Sequence, residues 1–390
     1  MLAEGIHLMT IAIIDADLIG RKKHRFPNLV CEKISGYYKE KGEEVELKLN
    51  YKDLDDYSEV FISKVFTDTP FPESIKTTKR IHLGGTGFYF DKAKDLPNSI
   101  EHHMPDYRLY DEWIKCERDK AKAEHGQDFK ESRFMLQFKE YTDYSIGFIT
   151  RGCFRHCQFC VNQKYDRVVC HSELKEFFDN SYKKICLLDD NFFGYPNWRD
   201  LLREIIETKK PYKFKQGMDE RLLTKEMCEM LFNSKYDGDF TFAFDNIEDY
   251  ELVSKKLKMI REYTKSINIK FYVLVGFESN DAKDIENAFK RVKLLMQYKC
   301  LPYIMRYQNR DYSPWQDSKY RGMYVSLARW CNQPSIFKKM SFRQFCLANQ
   351  LLHRTEGTLC SAMKAMNEFE NDYPRIAKKY FDLRYETYTL

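Results

Sequence analysis

Six short apolar stretches recur from residue 144 onward at intervals of roughly 25–35 residues, with amphipathic helical stretches between them. This alternation constrains the fold more than any other feature, because it is typical of parallel strands joined by helical crossovers. It predicts a partial (βα)6 barrel of the TIM type rather than the eight units of a complete barrel. After residue 318 the chain is instead typical of helices with aromatic anchors. The predicted strands are 144–150, 184–188, 212–216, 239–245, 268–276 and 301–307.

The first 90 residues show a similar but separate rhythm. The apolar, β-branched run 11–14 is typical of a buried parallel strand, and 28–41 is bracketed as a helix by Pro27 and Gly42. Further strands are predicted at 44–49, 59–63 and 80–83. The expected fold class is therefore α/β, with a Rossmann-like, doubly wound sheet before the barrel. The predicted domains are 1–90 for this sheet, 91–140 for an irregular linker with one helix, 141–315 for the barrel and 316–390 for a helical region.

Composition narrows the class of protein. With 43% hydrophobic and 32% charged residues, the chain is expected to fold as a soluble protein. No apolar run approaches the roughly 18 residues of a membrane helix, and no secretory signal is recognised, so a cytoplasmic location is expected. In such a chain 12 cysteines favour metal binding or redox chemistry over disulfides.

Three of these cysteines stand close together in the segment 151–160, at the spacing Cys-x-x-x-Cys-x-x-Cys. Cys153, Cys157 and Cys160 follow directly after the first predicted barrel strand, where an active-site loop is expected. Three thiolates on one loop indicate a metal centre, and iron–sulfur clusters ordinarily take four. Three protein ligands would leave one iron open for chemistry. The alternatives are a zinc site that includes His156 or a distant cysteine, and a chance grouping of buried cysteines.

The cysteine segment and the βα run behind it, residues 141–310, resemble the radical S-adenosylmethionine (SAM) superfamily. The resemblance implies that Cys153, Cys157 and Cys160 ligate three irons of a 4Fe–4S cluster, while the methionine part of SAM chelates the fourth. One electron then cleaves SAM reductively to methionine and a 5′-deoxyadenosyl radical, which abstracts a hydrogen atom from an unidentified substrate. A one-electron donor such as flavodoxin or ferredoxin is the implied partner.

The same resemblance suggests further SAM-binding residues at strand ends. Phe159 would pack near the adenine, and Asp190 or Asn191 would accept from the methionine ammonium, where the family usually has a Gly-Gly-Glu-like motif. Asp245 would reach the ribose hydroxyls, and Gly276 and Glu278 belong to a segment resembling the adenine-side backbone motif. Three further residues at strand ends are candidate substrate contacts, or else members of an internal ion-pair network: Asp219, Arg221 and Arg306.

The N-terminal domain resembles a cobalamin-binding domain in its architecture. The loop 15–20 follows the pattern Asp-x-His-x-x-Gly, but Asp17 stands where the axial histidine should be. A carboxylate is a poor substitute for imidazole at cobalt, so cobalamin is not expected to bind.

The predicted function is therefore radical SAM catalysis. The first alternative is a cobalamin-dependent radical SAM methylase. A more distant one is a zinc-stabilised nucleic-acid-binding protein that uses the basic tail, where residues 319–390 hold 12 Lys/Arg against 6 Asp/Glu. Nothing else in the sequence supports nucleic-acid binding.

Overall fold

The computed structural model describes residues 9–266, 268–309, 312–355 and 357–390. Its contacts divide the chain into two compact units. The first unit comprises the residues up to Asp189 together with Arg203–Tyr212, and the second comprises Asp190–Leu202 together with Lys213–Leu390.

The N-terminal sheet of the first unit is parallel, as expected, in the order β2-β1-β3-β4. Its centre is the apolar run of β1, whose residues Ile11–Ile14 are fully buried. The expectation of a doubly wound sheet is met only in part, because within 41–84 the crossovers to β3 and β4 contain no α-helix. The strands are β1 (Thr10–Asp15), β2 (Glu44–Leu47), β3 (Glu59–Ser63) and β4 (Ile81–Gly84), and the helices are α1 (Ala16–Gly20), α2 (Leu29–Glu40) and α3 (Thr86–Tyr89).

The segment 91–140 was predicted as an irregular linker with one helix, and that prediction of its structure is wrong. It is largely helical and supplies apolar side chains to one core cluster with Ile11 and Ile13 of β1. Trp113 and Phe138 from this segment are buried in that cluster. The polar composition of the segment wrongly indicated a linker, because its apolar residues are few and pack on the same side. The helices are α4 (Asn98–Glu101), α5 (Asp111–His125), α6 (Glu131–Met135) and α7 (Lys139–Thr142).

The first three strands of the predicted barrel run begin in the first unit. β5 (Tyr144–Gly147) pairs in parallel with β8 (Lys184–Leu187), and the amide of Ile185 donates to Pro211, which directly precedes β9 (Tyr212–Phe214). The predicted strand 144–150 is too long. Beyond Gly147 the chain leaves the sheet, and β6 (Thr150–Arg151) pairs antiparallel with β7 (Val169–Cys170) instead.

The remaining three predicted strands are present in the second unit as a parallel sheet in the order β10-β11-β12. The alternating burial of β11 places Phe271, Val273 and Val275 in the core. All six strands are therefore confirmed, whereas their closure into one barrel stays a prediction. The strands are β10 (Phe240–Ala243), β11 (Ile269–Val275) and β12 (Leu301–Arg306), and the helices of this run are α8 (Trp198–Glu207), α9 (Lys225–Phe232), α10 (Tyr250–Tyr263) and α11 (Ala282–Gln297).

The C-terminal region of the second unit is helical, as predicted. It covers the edge strand β12, where the side chain of Asn332 accepts from the amide of Ile304 at 2.7 Å and donates to its carbonyl at 3.0 Å. Of the aromatic residues in this region, Trp330, Phe337 and Phe342 are fully buried, whereas Tyr373 is 37% exposed. Within the described residues no helix is both long and apolar enough to cross a bilayer. The helices are α12 (Arg321–Cys331), α13 (Pro334–Phe337), α14 (Phe342–Leu351), α15 (Ser361–Asp372) and α16 (Pro374–Tyr380).

Candidate functional site

The cysteine loop is closed at its base by the two-stranded ribbon of β6 and β7. It leaves the ribbon at Gly152, whose φ of +96° suits glycine. A Cβ atom there would lie 2.5 Å from the carbonyl oxygen of Arg167 on the returning chain, so only glycine allows the two segments to approach this closely. The ribbon thus converts the segment 152–168, which joins β6 to β7, into a closed loop.

Inside the loop, backbone and side-chain bonds draw the second and third cysteines into one turn. The amide of Cys160 donates to the carbonyl of Cys157 at 2.8 Å. The Gln163 side chain donates to the carbonyls of Cys157 and Cys160 at 2.6 and 2.8 Å. The amide of Asn162 donates to the sulfur of Cys160 at 3.4 Å. Cys153, Cys157 and Cys160 are all half-buried, and so is Phe159.

Asp189 fixes the chain that leads into the loop. Its carboxylate is 2% exposed and accepts from the amides of Ile149 and Thr150 at 3.3 and 2.6 Å, and from the Thr150 hydroxyl at 2.6 Å. These bonds take up the amides that would otherwise continue β5, which explains why the strand ends early. Asp189 was not predicted as a site residue, because the sequence does not distinguish it from the two polar residues that follow it.

Glu101 anchors the ribbon itself. It lies 3.4 Å from Arg151 of β6 and 3.3 Å from His171, which follows β7, and it also pairs with Lys33 at 3.2 Å. Burial alone would raise the pKa of Glu101, but the hydrogen bond with His171 and the charges of Lys33 and Arg151 outweigh it and lower the pKa to about 2. The base of the loop is therefore held by an ionised carboxylate between three basic groups.

The strand ends of the N-terminal sheet carry two buried carboxylates. Asp15 caps α1, and burial raises its pKa to about 7, although bonds from the Leu18 amide and the Tyr110 hydroxyl lower it in part. Asp17, which stands at the axial-histidine position, is 1% exposed. It accepts from the amide of Val65 at 2.6 Å and also binds the next amide and the hydroxyl of Thr69.

In the second unit, two of the three candidate substrate residues are members of an ion-pair network. Arg221 donates to Asp219 at 2.7 Å and to Asp249 at 3.0 Å. Glu220 between them is 1% exposed, and burial raises its pKa to about 8, so it is mostly protonated at neutral pH. Glu220 was not among the site residues predicted from the sequence.

The candidate ribose contact, Asp245, follows β10. It accepts from the amide of Leu274 at 3.0 Å, and burial raises its pKa to about 6. The guanidinium of Arg291, 2% exposed, donates to the carbonyls of Phe244 and Asp245 at 3.0 and 2.6 Å. This arginine was not identified from the sequence and fixes the end of β10.

Gly276 has a structural reason to be glycine. Its φ is +72°, its amide donates to Asp284 at 2.7 Å, and a Cβ atom would lie 2.6 Å from that of Trp315. Arg306 is exposed and places its guanidinium 4.8 Å from the centre of the Trp315 ring. Glu278, two residues after Gly276, is exposed.

Asp190 and Asn191 open the second unit. Asn191 is 3% exposed, and its backbone carbonyl accepts from the amide of Gly194 at 2.9 Å. Asp190 is half-buried. The roles of these residues toward SAM stay predictions. Across the described part of the chain, no three His, Cys, Asp or Glu side chains are already arranged to hold a metal ion.

No protein-family model matches the chain, and no curated protein matches it in sequence. Among solved structures it is similar to Streptococcus suis SuiB bound to SAM, at 13% identity and a TM-score of 0.35, over 62% of this chain and 65% of that one. The structure of SuiB bound to its precursor peptide SuiA is similar at 12% identity and a TM-score of 0.36, over 63% of this chain and 66% of that one.

The cobalamin-dependent SAM radical enzyme OxsB, bound to aqua-cobalamin and SAM, is similar at 13% identity and a TM-score of 0.35, over 98% of this chain and 58% of that one. The chain thus spans less than two thirds of the length of these structures. At these TM-scores the similarity gives no support for a function. The evidence for a function is the cysteine loop.

Proposed function

We propose that this protein is a radical SAM enzyme that generates a 5′-deoxyadenosyl radical and uses it to abstract hydrogen from a substrate. One observation carries the proposal: three cysteines within eight residues lie on a closed loop directly after the first strand of a parallel βα run. The resemblance of this segment to the superfamily supplies the reaction. The identity of the substrate stays open.

The residues of the loop fit a 4Fe–4S cluster by their donor chemistry. Cys153, Cys157 and Cys160 offer three half-buried sulfurs, and an amide already donates to the third. The cluster, when bound, supplies the single electron that cleaves SAM.

The chain's own contribution is to position the loop and to limit its freedom. Asp189 holds the entering chain, Glu101 holds the ribbon through Arg151 and His171, and Gln163 ties the turn between the last two cysteines. Each contact restrains backbone rather than touching a reactant. Because the loop is closed by the ribbon at its base, the three sulfurs vary in position less than they would on an open loop.

For SAM itself we propose the residues named from the resemblance: Phe159, Asp190 or Asn191, Asp245, Gly276 and Glu278. The rigid backbone at the ends of β10 and β11, held by Arg291 and Asp284, supports a binding role at this edge of the second unit. Substrate contact by Asp219, Arg221 or Arg306 is proposed on the same basis. A flavodoxin- or ferredoxin-like protein is the proposed electron donor.

The cobalamin-dependent alternative is disfavoured by the contacts of the N-terminal sheet. Asp17 is buried and binds the loop after β3, so its carboxylate is already engaged with protein donors. In addition, a Cβ atom on Gly85 would lie 2.3 Å from the Lys64 carbonyl, which shows how closely the loops after β3 and β4 pack. These residues do not fit a cobalt ligand, and we propose that the domain does not bind cobalamin.

Anaerobic reconstitution of the full chain with iron and sulfide tests the proposal. After reduction in the presence of SAM, we expect 5′-deoxyadenosine and methionine in equal amounts, without added cobalamin. Stoichiometric zinc without iron would support the zinc alternative instead. A reconstituted cluster that yields no 5′-deoxyadenosine under reduction would contradict the proposed function.

A further inference from the structure

A cavity of about 640 Å³ lies at the carboxyl edge of the N-terminal sheet. It is lined by the loop that follows α1, residues 20–26, and by residues 66, 68 and 70 of the loop after β3. β1 and β3 are neighbours in the sheet, and the chain continues from them to opposite edges, β2 on one side and β4 on the other. In open parallel sheets this reversal creates a crevice in which ligands bind. We infer that this cavity, the basic pocket, binds a nucleotide through its phosphates.

The charge of the basic pocket is the first argument. Five consecutive residues line it, in the order Arg21, Lys22, Lys23, His24 and Arg25. Arg21 pairs with Asp68 at 2.7 Å. Among the described residues, no carboxylate lies within 4.0 Å of either lysine, both of which are exposed, or of Arg25. Within the described residues, Lys22 and Lys23 are therefore two exposed cations without an acidic partner at one concavity, whereas the guanidinium of Arg25 lies 5.6 and 5.3 Å from the ring centres of Trp113 and Phe138.

Arg25 is held in place by neutral groups rather than by a carboxylate. Its guanidinium donates to the carbonyls of Lys22 and His24 at 3.4 and 2.7 Å. These bonds fold the loop back on itself, so that the basic side chains line the cavity. Packing of this guanidinium against Trp113 and Phe138 also stabilises the turn, and an anion in the cavity would offset the mutual repulsion of the lysines that stay exposed.

The second argument is an aromatic platform beside the cations. Phe66 is 41% exposed, with the guanidinium of Arg21 4.3 Å from its ring centre and the His24 ring edge-on at 5.9 Å. Its amide donates to Asp17, so the backbone that carries the ring is fixed. A planar base can stack on such a ring while phosphates contact the neighbouring cations.

Together these features select the chemical class of the ligand. The cavity lies in the range of about 300–1,000 Å³ that small-molecule pockets occupy. The two exposed lysines, which have no carboxylate partner among the described residues, match a ligand with more than one phosphate, and the platform matches its base. The ligand could be a free nucleotide or the end of a single nucleic-acid strand, which share this chemistry. The inference does not depend on the chemistry of the cysteine loop.

Calorimetric titration of the full chain at low salt tests the inference. The probes are ADP, inorganic tripolyphosphate, adenosine and a single-stranded oligoadenylate. ADP is expected to bind and adenosine to bind at least 100-fold more weakly. Tighter binding of ADP than of the oligomer supports a free nucleotide, and the reverse order supports a strand.

Two variants with matched controls complete the test. Lys22→Gln/Lys23→Gln is expected to weaken ADP binding at least tenfold, whereas Lys378→Gln/Lys379→Gln, an exposed lysine pair in the second unit, leaves it unchanged. Phe66→Leu is expected to weaken ADP at least threefold without changing tripolyphosphate affinity. The inference is overturned if no phosphate probe binds at 1 mM, if both lysine pairs have equal effects, or if Phe66→Leu leaves ADP affinity unchanged.

Discussion

Replacing Gly276 by alanine should destabilise the protein for two separable reasons. The residue has a φ of +72°, and its amide is tied to Asp284. A side chain in this left-handed conformation costs about 1–2 kcal/mol. The new Cβ atom would also lie 2.6 Å from Trp315, which is buried and bonded through its indole to Tyr307 at 2.7 Å, so neither side can move easily. Overpacking of this kind costs about 1–3 kcal/mol more.

Gly238 provides the matched control, because it lies in the same unit with a φ of +87° and has nothing within 4 Å of an added Cβ atom. Gly238→Ala should therefore lose only the conformational part. Urea denaturation of the full chain without SAM is expected to show a loss of about 2–5 kcal/mol for Gly276→Ala against about 1–2 kcal/mol for the control. Equal losses would refute the steric account of Gly276, and its positive φ alone would then account for the glycine.

Three further predictions concern stability. Glu101→Gln should lower the free energy of unfolding by up to about 3 kcal/mol near neutral pH, since the pKa of Glu101 is lowered from 4.5 to about 2. This difference from wild type should vanish as the pH falls from about 4.5 to 2. A difference that stays constant over this pH range would contradict the prediction. The pKa of Asp15 is raised from 3.8 to about 7, so the folded state favours the protonated carboxyl group. The free energy of unfolding should therefore fall as the pH rises from about 4 to 7. Asp15→Asn should keep the helix cap and flatten the pH profile of the unfolding free energy over this range, whereas an unchanged slope would argue against a buried neutral acid. Asn332→Ala should cost about 1–3 kcal/mol in urea denaturation, because both backbone groups of Ile304 lose their partner. The comparison is Asn349→Ala on α14, whose half-buried amide bonds to Arg329 and to a carbonyl of its own helix instead of to a strand.

Most strands were predictable because they are short apolar runs, such as the buried β1, whereas β2 was predictable from its alternation of polar and apolar residues. All four N-terminal strands and all six later ones lie within two or three residues of their predicted ends. The early end of β5 was not predictable, because it depends on Asp189, a residue 39 positions away from the Thr150 amide that it binds. A local pattern contains no information about such a bond.

The segment 91–140 shows the opposite failure. Its charge suggested a linker, yet Trp113 and Phe138 pack on β1. Composition averages over a helix, whereas burial depends on one face only.

The candidate site divides in the same way. The cysteine spacing is local, so it was recognisable from the sequence alone. The groups that hold the loop, Glu101, His171 and Asp189, come from three distant segments and become visible only once the chain is folded. The ion pairs of Arg221 had been named as one of two alternatives, and the structure shows them. Whether these side chains also contact substrate is still a prediction.

The central claim is that three cysteines, and no fourth, hold an iron–sulfur cluster with an open iron. Cys170 lies on the ribbon at the base of the same loop and is exposed, which makes it the matched control. The most direct measurement is iron and sulfide content after anaerobic reconstitution, combined with the electron paramagnetic resonance spectrum of the reduced protein with and without SAM. Wild type and Cys170→Ala should both hold four irons and show a SAM-dependent spectrum, while Cys157→Ala should lose the cluster and stay folded. Full iron content in Cys157→Ala, or loss of the cluster in Cys170→Ala alone, would contradict the ligand assignment.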